Sequence, residues 1–251
     1  MVVYVILLGV VQGLTEFLPV SSSGHLVLME QIFGVKIDMM FMSILMHLGT
    51  LLAVLIYYRK RIFSLIKKPF SKEVWYLVLS TIPATIFVLI FKDFVTDSFN
   101  GKALGFGFLV SAIMLYVAFI VSKKYQPNAQ FTYKTALIMG VFEAVAIFPG
   151  ISRSGSTLCA GIFSGGKPDE VLDFSFLMSV PIIFASTIFE IFSLGKTVFS
   201  FNIWFVIIGF IVSFVCGLIS IKLTINFTKK IKLKYFAIYL FLLSILTFFV
   251  V

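Results

Sequence analysis

Two short stretches hold most of the side chains in this sequence that could do chemistry. In the first, Gln12 and Glu16 stand four residues apart, on one face of a helix. Pro19 breaks that helix, and Ser21, Ser22, Ser23, Gly24 and His25 open the next. In the second, Glu143 precedes a break at Pro149-Gly150, and Ser152, Arg153, Ser154, Gly155, Ser156 and Thr157 open the following helix. Each stretch therefore offers a helix N-terminus, whose unpaired N–H groups and dipole favour an anion. Serine hydroxyls add donors, glycine lets backbone approach, and Arg153 supplies a planar fork matched to phosphate oxygens. A phosphate or pyrophosphate is the group these residue types would hold.

The elements that position them are apolar throughout. Of the 251 residues, 60% are hydrophobic and 12% charged, against about 25% charged in a soluble domain. Mean hydropathy is +1.11. A soluble globule, a disordered chain and a disulfide scaffold are excluded; Cys159 and Cys216 both sit in apolar runs. The N-terminal run has no basic n-region or small-residue cleavage site and is expected to be retained. Spanning helices of roughly 20 apolar residues are expected at 40–58, 73–91, 103–122, 171–193, 201–222 and 234–250. Segments 2–33 and 133–164 are apolar but interrupted, and interrupted backbone at membrane depth must be buried in protein or line a cavity. They are expected to be re-entrant hairpins. The fold class is then an all-α polytopic membrane protein, with six transmembrane helices and two such hairpins.

The formal charge of +9 does not indicate nucleic acid, because the basic residues cluster between apolar runs. Loops 59–72, 123–134, 165–170 and 222–234 collect Arg59, Lys60, Arg61, Lys67, Lys68, Lys72, Lys123, Lys124, Lys134, Lys167, Lys222, Lys229, Lys230, Lys232 and Lys234. The opposite side holds Lys36, Lys92, Lys102 and Lys196. That asymmetry puts the richer side in the cytoplasm and both termini outside.

Shifting the chain by 131 residues aligns 9–26 with 140–157, with six of eighteen positions identical: Gly9/Gly140, Val10/Val141, Phe17/Phe148, Ser21/Ser152, Ser23/Ser154 and Gly24/Gly155. Three expected spans separate the two stretches, so the halves 1–131 and 132–251 must be inverted repeats, with a site where they meet near the midplane. Blander roles stand beside the chemical ones. Gly9 and Gly13 suit helix packing, Glu16 and Arg153 can simply pair, and His25 can be a packing residue. His47, inside the first full span, reads as a packing or polar-network residue. Arg59 and Glu190, also 131 apart, read as interfacial helix ends. Neither a metal-ligand spacing of Cys and His nor a P-loop or dinucleotide fingerprint is present.

QGLTEFLPVSSSGH (12–25) and PGISRSGST (149–157) closely resemble the two signature motifs of the bacterial undecaprenyl-diphosphate phosphatase, or bacitracin-resistance, family. Length, motif order and spacing match over essentially the whole chain. The resemblance implies an enzyme of the bacterial inner membrane that converts undecaprenyl diphosphate to the monophosphate, recycling the carrier lipid of cell-wall synthesis. It also implies a two-hairpin inverted-repeat fold, an active site reached from outside, and dependence on a divalent cation, Mg or Ca. Onto this sequence the family's acidic motif falls on Gln12 and Glu16, the tentative metal ligands. Its serine-rich motif falls on Ser21, Ser22, Ser23 and His25, and its arginine motif on Ser152, Arg153, Ser154 and Thr157. The first acidic position is Gln here, a poorer metal ligand than a carboxylate.

Arg153 would clamp the transferring phosphoryl, with Ser21, Ser23, Gly24, Ser152, Ser154 and Thr157 as phosphate-binding partners. Ser22 as nucleophile, with His25 taking its proton and Glu16 orienting His25 or ligating the cation, is one arrangement. Attack by His25 itself or by water are the others. A transporter or flippase for the lipid phosphate is the alternative from a different class, since fold alone does not decide function. The expected partners are the lipid diphosphate and membrane lipid.

Overall fold

The computed structural model describes residues 1–34, 39–124, 130–194, 203–229 and 232–250. Lys36, Lys196 and Lys230, and the side chains of Lys92, Glu190 and Lys229, lie outside the described set. Among the described residues every regular element is helical: α1 (Val2–Phe17), α2 (Ser22–Phe33), α3 (Met39–Tyr57), α4 (Arg59–Lys67), α5 (Lys72–Ile90), α6 (Lys92–Ser98), α7 (Leu104–Lys124), α8 (Tyr133–Val145), α9 (Arg153–Phe163), α10 (Pro168–Leu194), α11 (Ile203–Lys229) and α12 (Leu233–Val250). Among the described residues, five helices are long and apolar enough to cross a membrane: α5, α7, α10, α11 and α12. The pair α3 and α4, bent by 76°, makes a sixth if counted as one span. Their outward faces carry large apolar side chains, among them Leu89, Phe106, Ile211 and Leu242, as a lipid solvent requires. The chain is a multi-pass membrane protein.

The expected spans match α3, α5, α7, α10 and α12 to within a few residues, whereas α11 runs seven residues past the expected end at 222, so that 223–229, expected to be loop, continues the helix. The stretch 59–72, expected to be loop, instead contains α4. Its Ile62, Phe63 and Ile66 alternate with Arg59, Lys60, Arg61 and Lys67 at helical spacing, and none of its residues is buried. α6 is a further short helix that the sequence pattern did not indicate.

Segments 2–33 and 133–164 both fold as helix, break, helix. α1 lies along α11 and α8 along α5, α7 lies along α12 and α11 along α3, and α9 packs on α7 and α10, while α2 touches α7 and α12 only lightly. Small residues permit the closest of these approaches. A Cβ on Gly13 would fall 2.5 Å from Cys216 Cβ, and one on Gly140 would fall 2.2 Å from the Ser80 carbonyl oxygen. The Gly9 and Gly13 expectation of helix packing is met on α11, since Gly9 abuts Gly209 and Val212 there.

Candidate active site

The two breaks meet. Ser154 Oγ on the second tip donates to the Leu18 carbonyl on the first, at 2.9 Å. A Cβ on Gly24 would stand 2.8 Å from Gly150 Cα and 2.7 Å from the Phe108 ring. Glycine at 24 is therefore a condition of the tips touching. Gly150, with φ of +86°, makes the left-handed turn that feeds α9, a conformation natural to glycine.

The tips are built alike. Ser21 caps α2 by accepting from Gly24 N–H at 3.3 Å, and Ser152 caps α9 by accepting from Gly155 N–H at 3.1 Å. In each, the capping hydroxyl lies 3.4 Å from that of the serine two residues on, Ser23 or Ser154. They differ in backbone. Ser21 has φ of +69°, whereas Ser152 has φ of −74°. A non-glycine residue in that region is strained and is held there by its surroundings.

At the junction sits Glu16, its side chain 4% exposed. One carboxylate oxygen, Oε1, accepts from the Arg153 guanidinium. The other accepts from Ser22 Oγ at 2.6 Å and from Gln12 Nε2 at 3.0 Å, with His47 Nε2 at 3.8 Å. Glu16 stands in the last turn of α1 and Arg153 in the first of α9. Each charge is thus at the helix end whose dipole disfavours it. Their pairing offsets that cost, and the positive ends of both α2 and α9 gather around one point. An anion drawn there meets two helix N-termini and a guanidinium.

His25 is elsewhere engaged. Its Nδ1 is 2.7 Å from the Ser21 carbonyl and its Nε2 2.6 Å from the Tyr239 hydroxyl. A carbonyl only accepts, so Nδ1 carries the proton, and in the neutral ring Nε2 accepts from Tyr239. The Tyr239 ring also stacks on the imidazole at 5.8 Å. The expected contacts of His25 with Ser22 and Glu16 are replaced: Glu16 bonds Ser22 directly. His47, read from sequence as packing or polar network, bonds back to Ser43 through Nδ1 and turns Nε2 toward Glu16.

Ser152, Ser154 and Thr157, expected on phosphate, are buried, and their hydroxyls brace the protein itself. Thr157 Oγ1 bonds the Arg153 carbonyl at 3.0 Å and Ser175 Oγ at 2.6 Å. The sequence reading missed three residues here. Tyr239 and Ser175 hold partners in other helices, and Ser111 of α7 clamps the second tip, donating to the Gly150 carbonyl and accepting from Ser152 N–H. A serine inside an otherwise apolar span was the signal available for Ser111. A separate cavity of about 340 Å³, lined by Tyr57, Tyr58, Asp169, Leu172, Asp173 and Ile225, includes none of these groups.

Among the described residues, no three His, Cys, Asp or Glu side chains converge as a metal site. One buried acceptor beside Glu16 is unpartnered: Gln12 Oε1. Two oxygen donors fit a hard cation that brings its remaining ligands from elsewhere.

An arginine, a carboxylate and a serine hydroxyl joined between two helix N-termini within a membrane protein form a polar junction of the kind that suits a phosphate group. Comparison gives the family. The model of the family described as "Bacitracin resistance protein BacA" matches residues 5–246, and the chain belongs to it. A Bacillus cereus protein called undecaprenyl-diphosphatase 3 is 42% identical over 243 residues, which is 96% of this chain and 93% of that protein. Undecaprenyl-diphosphatases of Methanococcus vannielii and Carboxydothermus hydrogenoformans are 39% and 35% identical, covering 97% and 96% of this chain and 98% and 94% of theirs.

Proposed function

We propose that the Glu16–Arg153 junction is the active centre of an undecaprenyl-diphosphatase, an integral-membrane hydrolase that releases phosphate from undecaprenyl diphosphate and leaves the monophosphate. The activity is that of the family and of its relatives in name, and it accounts for the link to bacitracin resistance. The observation that carries the site is the carboxylate of Glu16 bonded at once to the Ser22 hydroxyl and to Arg153.

The chemistry follows from those contacts. The terminal phosphoryl group competes with Glu16 for Arg153, which meets it with a bidentate fork. Helix N-termini at Ser22 and Arg153 add N–H donors without reorganising, the kind of fixed dipole that stabilises charge developing on a phosphoryl group. Ser22 Oγ bonds to the terminal phosphorus as its proton passes to Glu16 Oε2. The bond from that phosphorus to the bridging oxygen breaks, and the lipid monophosphate leaves. Water then attacks the phosphoserine, its protons staying on the phosphate, while Ser22 departs and recovers its proton from Glu16. His25, held by Tyr239, supports the strained Ser21 carbonyl and so the placing of Ser22. Ser21, Ser23, Gly24, Ser152, Ser154 and Thr157 fix the tips that offer those N–H groups. A divalent cation, Mg or Ca, fits as an ion carried in with the diphosphate, with Gln12 Oε1 and Glu16 as its protein ligands. It would offset charge on the diphosphate.

The paired breaks are read as re-entrant hairpins of inverted repeats spanning 1–131 and 132–251. The corresponding pairs α1 with α11 and α8 with α5, and the matching serine caps, support this. The excess of Lys and Arg in stretches 59–72, 123–134 and 222–234 supports a cytoplasmic face there and both termini outside, and the resemblance to the family implies a site open to the outer face of the inner membrane. Phosphate release from undecaprenyl diphosphate by detergent-solubilised protein, with and without chelator, tests the reading. Hydrolysis needs no second compartment, whereas lipid transport does. A purified, folded chain that releases no phosphate would contradict it.

A further inference from the structure

Glu143 occupies in the second half the position of Gln12 in the first, 131 residues earlier. The two have different surroundings. Gln12 gives its amide to Glu16, one turn along the same helix. The residue equivalent to Glu16 is Ile147, so Glu143 finds no polar partner one turn further along the chain. The Glu143 residue is 2% exposed, and neither of its carboxyl oxygens has a hydrogen-bond partner. A buried, unbonded carboxyl is costly, and a merely structural position would be filled better by an apolar side chain of the same size. The break 146–152 folds α8 and α9 against each other; burial weighs most on the Glu143 carboxyl, and Arg153 at the start of α9 is the cation that offsets it.

Arg153 carries five N–H donors and no acceptor, and bonds Glu16 through Nη2. Glu143 carries acceptor oxygens with nothing to accept from. We infer that Glu143 is a positioning residue for Arg153, the second carboxyl of the site, contributed by the second half where the first half has Gln12. When diphosphate takes the guanidinium from Glu16, an oxygen of Glu143 receives the N–H groups turned away from phosphate. It fixes the plane of the fork. The inference rests on the hydrolase reading of the Glu16–Arg153 junction.

The test is a double-mutant cycle in phosphate release from undecaprenyl diphosphate, using the full chain in detergent, with kcat and KM measured separately. Glu143→Leu keeps the volume and removes the acceptor; Glu143→Gln keeps one acceptor oxygen. Glu143→Leu is expected to lower kcat by about 30-fold or more and Glu143→Gln by about fivefold, as expected for removing or weakening a charge-assisted bond. In an Arg153→Lys background, which no longer has a fork to orient, Glu143→Leu is expected to cost less than about threefold, because residues acting through one another are not additive. A general packing role would cost the same in both backgrounds. Should Glu143→Leu not elute as folded protein, Glu143→Gln carries the same cycle. Parental kcat in a folded Glu143 variant, or equal losses in both backgrounds, overturns the inference. An active parent with an unaffected Glu143 variant defeats the inference alone, whereas an inactive parent defeats the hydrolase reading and the inference with it.

Discussion

The two tips have the same scaffold and opposite chemistry. Ser21 and Ser152 cap their helices in the same way, Ser23 and Ser154 stand at the same 3.4 Å from them, and Gly24 and Gly155 follow. Between these matched residues, Ser22 faces its counterpart Arg153, a hydroxyl against a cation. One turn or more back, Glu16 answers to Ile147 and Gln12 to Glu143. Even the backbone divides the work, since strain lies at Ser21 in the first tip while Gly150 absorbs the positive φ of the second. Matched positions build the junction, and the mismatched ones are those the proposed reaction uses. A symmetric pair of tips would give two hydroxyls or two cations rather than one of each.

Substitutions at the mismatched positions should therefore have the largest effects. Ser22→Ala is expected to lower kcat by about 10³-fold or more, the scale for removing an attacking or directly stabilising group. Steady-state phosphate release at matched expression measures this, and near-parental turnover would remove Ser22 from the chemistry. Arg153→Lys keeps the charge but not the fork, and is expected to lose about 10²- to 10³-fold. Glu16→Gln, which deprives Ser22 of its base and Arg153 of its partner, is expected to fall by about 10²-fold or more in kcat. A Glu16→Gln enzyme within a few-fold of the parent would assign the Ser22 proton to another group.

At the matched positions the effect should shift from rate to stability. Ser21→Ala and Ser152→Ala each remove one N-cap, worth about 1 kcal/mol, and thermal unfolding in detergent is expected to fall similarly for both. Turnover should change far less than in Ser22→Ala, and the same holds for Ser23→Ala. Smallest of all, Tyr239→Phe removes one hydroxyl bond to His25, about 1 kcal/mol, for an expected loss of no more than about tenfold in kcat. A loss as large as that of Ser22→Ala would instead place His25 at the centre of the reaction.

Much of this division could be read before any coordinates. Pro19 and Pro149-Gly150 mark the breaks because proline and glycine interrupt helices by their own backbone limits. The spans follow from runs of apolar residues, and the repeat from six identities at one offset. Glu16 and Arg153 stand out because ionisable groups are rare at membrane depth, and Ser22 because its partner in the repeat is Arg153 rather than a serine. What joins them is less legible. Tyr239 lies 214 residues from His25, and Ser111 lies 41 from Ser152. Nothing in local spacing brings either pair together, because long-range helix packing sets both. The preference for His25 over Glu16 as the partner of Ser22 came from their nearness in sequence; the α1–α2 break instead folds Ser22 back onto Glu16, six residues before it. His47 carried the same flag as Glu16, an ionisable group in a span, but only the packing of α3 on α1 turns it toward that carboxylate.

The central claim is that a hydroxyl from one tip attacks a phosphoryl group held by a cation from the other. Acid quenching of the purified enzyme during turnover of undecaprenyl diphosphate labelled in its terminal phosphate tests it most directly. The account predicts an acid-stable, base-labile label on the peptide containing Ser22, absent from Ser22→Ala and greatly reduced in Arg153→Lys. An acid-labile, base-stable label on His25, or turnover with no labelled protein at any quench time, would contradict it.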